Sequence, residues 1–216
     1  MDALEIATGE VRSFSNAECG FGYRCSRFNT TERGRWIILS TTFALASGGV
    51  PQIAYRDLKQ YFAQHTGTPT LAEVRTAVRA IRQSKAMLIG DGDNEKEEDS
   101  RSAGSFFKNP VLDSDQYAAL LERAQQRGLT LPAYPSLSAE GGHQHKVPAA
   151  WLVENSGIAK GYTRGGAGIS RRHALAIVNR GGATAAEIIA LKDEIQRCVG
   201  EMWEVWLETE PVMLGF

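Results

Sequence analysis

A serine, a glutamate and a handful of scattered cations are the side chains of this sequence that could do chemistry. Ser105 lies in "SRSAGSFFKNPVL", residues 100–112, between Gly104 and two adjacent aromatics, Phe106 and Phe107. No GxSxG elbow surrounds it, so it does not read as a hydrolase nucleophile. A serine hydroxyl is a poor acid and gives up a proton only to a strongly basic centre placed beside it. Glu210, in "EVWLETEPV", reads on its own as an edge-strand carboxylate next to Pro211. Arg24, Arg82, Lys85 and Lys108 are dispersed, and each alone reads as a surface charge. Arg82 and Lys85 fall at the end of a helical pattern, where cations complement the dipole. His143 and His145 form a His-x-His without a third ligand at metal-site spacing, so no metal is expected. "RGGAGIS", residues 164–170, lacks both the GxGxxG order and the Lys-Ser or Lys-Thr of a phosphate loop. It reads as a tight turn where backbone closely approaches backbone or ligand.

These groups need a scaffold, and 216 residues suffice for one large domain or two small ones with a sizeable core. Lys plus Arg is 24 and Asp plus Glu is 25, a balance that gives no reason to expect nucleic acid or an anionic membrane as partner. The three cysteines, Cys19, Cys25 and Cys198, fit neither a disulfide framework nor a zinc site, so a reducing compartment is expected. The start, "MDALEIATGEV", has no signal-peptide pattern, and no apolar run reaches the ~20 residues that cross a bilayer. The expectation is a cytoplasmic protein.

The first 47 residues read as strands. "LEIATGEVRSFS" predicts a hairpin around Thr8 and Gly9. "FGYRCSRF" alternates, with Phe21 and Tyr23 on one face and Arg24 and Ser26 on the other. "RWIILSTTFAL" predicts a strand buried on both faces. These strands begin almost at Met1, as a sheet does when it is part of a larger one. Gly48, Gly49 and Pro51 mark a break.

Beyond it, "YRDLKQYFAQH" predicts a short helix, and a Thr70/Glu73 capping box opens another that runs to about Ser84. "DGDNEKEED", residues 91–99, predicts a solvated loop. "SDQYAALLERAQQRG" predicts a helix capped by Ser114 and stopped by Gly128. "LPAYPSLSAEGGHQHK" reads as irregular. "PAAWLVENSG" predicts a helix with Pro148 in its first turn, and "HALAIVN" a strand. Thr184 and Glu187 form a second capping box before a long helix, and "EVWLETEPV" closes the chain as a strand. Strands, then helices, then mixed elements argue for an α+β architecture in two parts.

Taken together, several stretches resemble one family. They are "CGFGYRCSRF", "IRQSKAML", "SRSAGSFFKNPVL", "VPAAWLVENSGIAKGYTRGGAGISRRHALAIVN", "GGATAAEI" and "WLETEP". In that order they are similar to UDP-N-acetylenolpyruvoylglucosamine reductase, the MurB flavoenzyme family of peptidoglycan precursor synthesis. The resemblance implies a two-stage reaction: NADPH reduces bound FAD, and UDP-N-acetylglucosamine enolpyruvate then receives hydride at its vinyl carbon and a proton at the carbon bearing the carboxylate. The product is UDP-N-acetylmuramate.

The resemblance also implies residue roles. Arg24 takes the place of the arginine in a Tyr-Arg-x-Ser motif, although Cys25 stands here where an Asp is usual. Ser105 falls on the proton donor and Glu210 on the second glutamate of a Leu-Glu-x-Glu motif. Tyr55, Lys85, Asn109 and His173 fall on positions that line the substrate, and Arg82 is their basic neighbour. By this resemblance residues 1–47 are the end of a PCMH-type FAD-binding domain, and residues 48–216 are the MurB C-terminal α/β substrate-binding domain. The family's Gly-rich pyrophosphate loop has no counterpart here, so a missing N-terminal fragment is an implied partner. The alternative is a truncated UDP-sugar-binding module without bound FAD or turnover.

Overall fold

Thr70 and Thr184 each start a helix by the reciprocal exchange that Thr-x-x-Glu predicts. Thr70 Oγ1 accepts from the Glu73 amide at 3.2 Å, and the Glu73 carboxylate accepts from the Thr70 amide at 2.7 Å. Thr184 and Glu187 repeat the pair at 3.2 and 2.8 Å. The computed structural model describes residues 1–22, 24–88, 97–137, 143–213 and 215. They form two compact units, Met1–Val50 and Pro51–Phe216, with helices and sheets mixed as an α+β chain.

In Met1–Val50 the hairpin forms where the alternation breaks. Strand β1 (Asp2–Glu5) pairs antiparallel with β2 (Val11–Ser13), and Gly9 turns between them at φ 73°. β3 (Trp36–Ser40) pairs on the other side of β1, giving the order β2-β1-β3. Phe14 anchors a small core of Ala3, Phe14 and Cys19, with Phe28 and Trp36 edge-on to it at 5.2 and 4.9 Å.

Two expectations fail in this unit. β3 is not buried on both faces: Ile37, Ile38 and Leu39 are 51, 41 and 54% exposed. Among the described residues, a three-stranded sheet with β3 at its edge lacks the cover to bury them. "FGYRCSRF" is a turn carrying one isolated bridge between Gly22 and Cys25; Tyr23 lies outside the described residues. Asn29 is the reason. Its Oδ1 accepts from the Ser26 amide at 2.7 Å and its Nδ2 donates to the Arg24 carbonyl at 3.1 Å, in competition with a strand ladder. A short helix that the periodicity did not reveal, α1 (Asn16–Cys19), is opened by a Ser15/Glu18 capping box.

In Pro51–Phe216, α2 (Arg56–Tyr61) and α3 (Leu71–Ser84) come first. β4 (Val111–Leu112) leads into α4 (Ser114–Gln126). The cap of α4 is Asp113, not Ser114. Asp113 Oδ1 accepts from the Gln116 amide at 2.8 Å, and Gln116 answers at 3.1 Å. Three residues beyond Ser114 stands Tyr117, which cannot close such a box. The stretch 131–146 is not irregular throughout: β5 (Tyr134–Leu137) and β6 (His143–Lys146) pair antiparallel, in the order β4-β6-β5. Pro135, which has no amide to donate, is tolerated because β5 is an edge. The His145 ring stacks on Tyr117 at 3.9 Å.

α5 (Ala149–Glu154) follows, with Pro148 as its N-cap. β7 (Thr163–Arg164), β8 (Ala167–Ile169) and β9 (Ile177–Asn179) form the next sheet, so only the end of "HALAIVN" is a strand. The glycines of "RGGAGIS" do serve close backbone approach. Gly165 turns β7 into β8 at φ 58°, and a Cβ on Gly166 would lie 2.8 Å from Ala183 Cα. α6 (Ala185–Trp203) packs Leu191, Ile195 and Trp203 into the same core as Phe106 and Phe107. Trp203 Nε1 donates to the Leu152 carbonyl at 3.2 Å, which satisfies the indole in the interior.

The acidic run needs correcting at its end. Residues 91–96 lie outside the described residues, but Asp99, in a single turn of 3₁₀ helix (Glu98–Ser100), is only 2% exposed. Its charge is met by Arg180 at 2.6 Å, so pairing rather than solvent compensates it. The closing stretch 205–210 is extended, with Val205 and Leu207 buried and Trp206 and Glu208 outside. Its ladder is a single bridge, Phe107 to Thr209, too short to count as a regular strand.

Candidate active site

Phe106 is the hinge of the site. Its amide donates to the Leu175 carbonyl at 2.7 Å on one side, and its own carbonyl accepts from the Glu210 amide at 2.9 Å on the other. Lys108 extends the second ladder by donating its amide to the Glu208 carbonyl at 2.9 Å. Further back, Ser102 bridges Val178, and the Asn179 amide donates to the Arg101 carbonyl at 3.0 Å. The segment carrying Ser105 is thus threaded between residues 175–179 and residues 208–210. Phe106 and Phe107, 5 and 3% exposed, pin it to the core. Ser105 itself stays half-buried, just after the left-handed Gly104 at φ 82°.

His173 reaches the same link at Leu175. Leu175, whose carbonyl takes the Phe106 amide, donates its own amide to His173 Nδ1 at 3.2 Å. Nδ1 acting as acceptor puts the neutral imidazole's proton on Nε2. Burial pushes the His173 pKa below the ordinary histidine value, and the Lys85 and Lys160 charges push the same way, with Glu154 opposing. His173 is therefore neutral at pH 7 and can donate one hydrogen bond.

Lys85 caps α3 and pairs through Nζ with Asp57. That pair brings the end of α3 to the start of α2, where Tyr55 is the N-cap with 79% of its surface exposed. Lys160 pairs with Glu154 at 2.8 Å. Both lysines act on His173, and each is paired with a carboxylate, Asp57 or Glu154. Arg82 lies exposed in the last turn of α3, its carbonyl accepting from the Lys85 amide at 3.2 Å.

Asn109 has a structural task as well. Its Oδ1 accepts from the Ala149 amide at 2.9 Å, capping α5 where Pro148 supplies no side-chain cap. Asn109→Ala should therefore cost about 0.5–2 kcal/mol, as lost caps do, and Asn109→Asp much less. Urea unfolding midpoints of the two variants measure the difference.

These ladders set the backbone carrying Ser105 next to Leu175, whose amide His173 accepts, and to Glu210, while the Asp57 pair joins Lys85 to the helix that Tyr55 opens. Arg24 belongs to Met1–Val50. It is exposed and holds φ 56°, a left-handed conformation that costs a non-glycine residue about 1–2 kcal/mol. Ala86 and Glu204 hold the same conformation at φ 54° at the ends of helices α3 and α6. Periodicity missed the partners behind the site: Asp99, Glu97, Arg172 and Arg180. Arg172 donates to the Gln83 carbonyl at 3.1 Å and pairs with Glu97 at 2.7 Å, tying the end of α3 to the His173 turn. The available signal was charge complementarity between "EED" at 97–99 and the arginines at 171, 172 and 180.

Among families, one described as UDP-N-acetylenolpyruvoylglucosamine reductase, C-terminal domain, matches residues 95–214. The UDP-N-acetylenolpyruvoylglucosamine reductase of Thermobifida fusca is 41% identical over 214 residues, which are 97% of this chain and 57% of that protein. Those of Chromobacterium violaceum and Burkholderia orbicola are 41 and 39% identical, over 95 and 98% of this chain and 56 and 57% of theirs. The chain thus spans a little over half the length of the curated relatives it matches.

Proposed function

The chain belongs to the UDP-N-acetylenolpyruvoylglucosamine reductase family, and from that premise we propose that Pro51–Phe216 receives UDP-N-acetylglucosamine enolpyruvate and supplies the proton for its reduction. The reaction served is the NADPH-dependent, FAD-mediated formation of UDP-N-acetylmuramate in peptidoglycan precursor synthesis. The observation that carries this reading is the double ladder at Phe106, which supports Ser105, Glu210 and His173 acting as one group.

The chemistry suits these side chains. Adding hydride to a vinyl group conjugated to a carboxylate pushes negative charge toward the carboxylate oxygens and the carbon that bears them. That carbon is basic enough to take a proton from the Ser105 hydroxyl. In Met1–Val50, Arg24 carries a guanidinium, a group that can hold a carboxylate bidentately. Lys85 can exchange Asp57 for a diphosphate, with Arg82 adding positive field. His173 offers Nε2–H, Asn109 its amide NH₂, and Tyr55 a ring that packs and a hydroxyl that hydrogen-bonds.

FAD would supply the hydride when bound. The described residues of Met1–Val50 do not fit its pyrophosphate by themselves. α1 has four residues, and Gly9, Gly20, Gly34 and Gly48 stand in turns with nothing within 4 Å of a Cβ position, not in a closed phosphate cradle. The narrower reading is a UDP-sugar-binding module in which this chain alone binds the substrate without turnover.

Calorimetric titration of the chain with UDP-N-acetylglucosamine enolpyruvate separates the possibilities. Saturable one-to-one heat is expected, weakened about tenfold, or about 1.4 kcal/mol, by Lys85→Ala. No heat, or binding indifferent to Lys85→Ala, contradicts the substrate assignment. Stoichiometric visible flavin absorbance after incubation with FAD would rule out the narrower reading.

A further inference from the structure

We propose that Asp99 and Arg180 are a positioning pair that sets the Ser105 segment against the His173 turn. The inference rests on the reading that Ser105 and His173 serve one bound substrate. Arg180 Nη1 meets Asp99 Oδ1 at 2.6 Å, with only 10 and 2% of the two side chains exposed. Asp99 Oδ2 accepts from the Arg171 amide at 3.2 Å, and Arg180 Nη2 donates to the Ile169 carbonyl at 2.7 Å. The Arg180 amide donates to the Gly166 carbonyl at 2.8 Å. One pair thereby joins three pieces: the turn that feeds the Ser105 segment, the end of β8, and the turn that presents His173. Within that last turn Ser170 Oγ accepts from the Arg172 and His173 amides at 3.1 and 3.3 Å, so whatever holds Arg171 also holds His173.

Stability alone does not account for such a pair, because buried ion pairs are often replaced by apolar side chains without loss. Arg180 Nε is also buried with no hydrogen-bond partner among the described residues, a cost accepted to keep the guanidinium where it lies. Gly168 makes the room: a Cβ there would lie 3.0 Å from Arg180 Nε and 2.9 Å from the Tyr162 carbonyl. The third glycine of "RGGAGIS" therefore serves the arginine. A planar fork reaching two acceptors at once is beyond a lysine, so Arg180→Lys keeps the charge and loses the geometry. Asp99→Asn keeps an acceptor for Arg171 and loses the charge.

The test is the titration of His173 followed by NMR in the whole chain, with thermal unfolding as the control for folding. The charged groups around it, Lys85, Lys160 and Glu154, are unchanged in both variants. In folded Arg180→Lys and Asp99→Asn the midpoint should rise measurably toward the ordinary histidine value, as the turn opens to solvent. Arg164→Ala, on the face that pairs with Glu194, should leave it in place. An unmoved His173 midpoint in either folded variant overturns the proposal. If the midpoint moves but the native chain binds no UDP-N-acetylglucosamine enolpyruvate, the pair stands as a positioning device and the substrate reading fails.

Discussion

Replacing Ser105 by alanine should leave substrate affinity within about twofold and lower turnover by about 100- to 10,000-fold, the usual range for a lost general acid. The reason is the position of the residue. Ser105 is half-buried and follows the left-handed Gly104, and the two phenylalanines after it, not the serine, fill the core. Removing one oxygen there leaves no cavity. On the proposed role it takes away the donor for the carbon that gains a proton, worth about 3–5 kcal/mol of barrier. Ser105→Cys should recover part of the rate, because a thiol is a stronger acid than an alcohol. Steady-state turnover and KM of the flavin-loaded reductase are the measurement. Equal turnover in Ser105→Ala would remove the proton-donor role.

Phe107→Ala should have the largest effect on stability, about 3–5 kcal/mol. The ring is 3% exposed and packs at 60° against Phe106, with centroids 5.6 Å apart. The same residue bridges Thr209, so its loss loosens the ladder that holds Glu210 beside the Ser105 segment. Substrate affinity should fall together with stability, which separates this variant from Ser105→Ala. Denaturant unfolding checks the first effect. A loss under about 1 kcal/mol would mean that the core does not hold the segment.

What was legible in the sequence was local. The capping boxes at Thr70 and Thr184 name both partners within four residues, so those helix starts could be read from spacing alone. The Gly9 hairpin and the stop at Gly128 were equally local. What failed depended on distant groups. Asp99 looked solvated because Arg180, which neutralises it, lies 81 positions away. "FGYRCSRF" alternates like a strand, but Asn29 bonds its backbone into a turn. The β5–β6 pairing hid behind Pro135, which an edge strand tolerates. Of the site, Ser105 and Glu210 acquired roles only through their resemblance to a family. The ladder joining them runs between residues 106 and 210 and leaves no mark on either neighbourhood.

The most direct test of the account is to map where UDP-N-acetylglucosamine enolpyruvate touches the chain. Backbone amide spectra recorded during a titration should show one saturable set of changes. It should be centred on Lys85, Ser105 and Phe106, Asn109, and residues 170–175. Changes confined to the face where Arg164 pairs with Glu194 of α6, or no saturable changes at all, would contradict it.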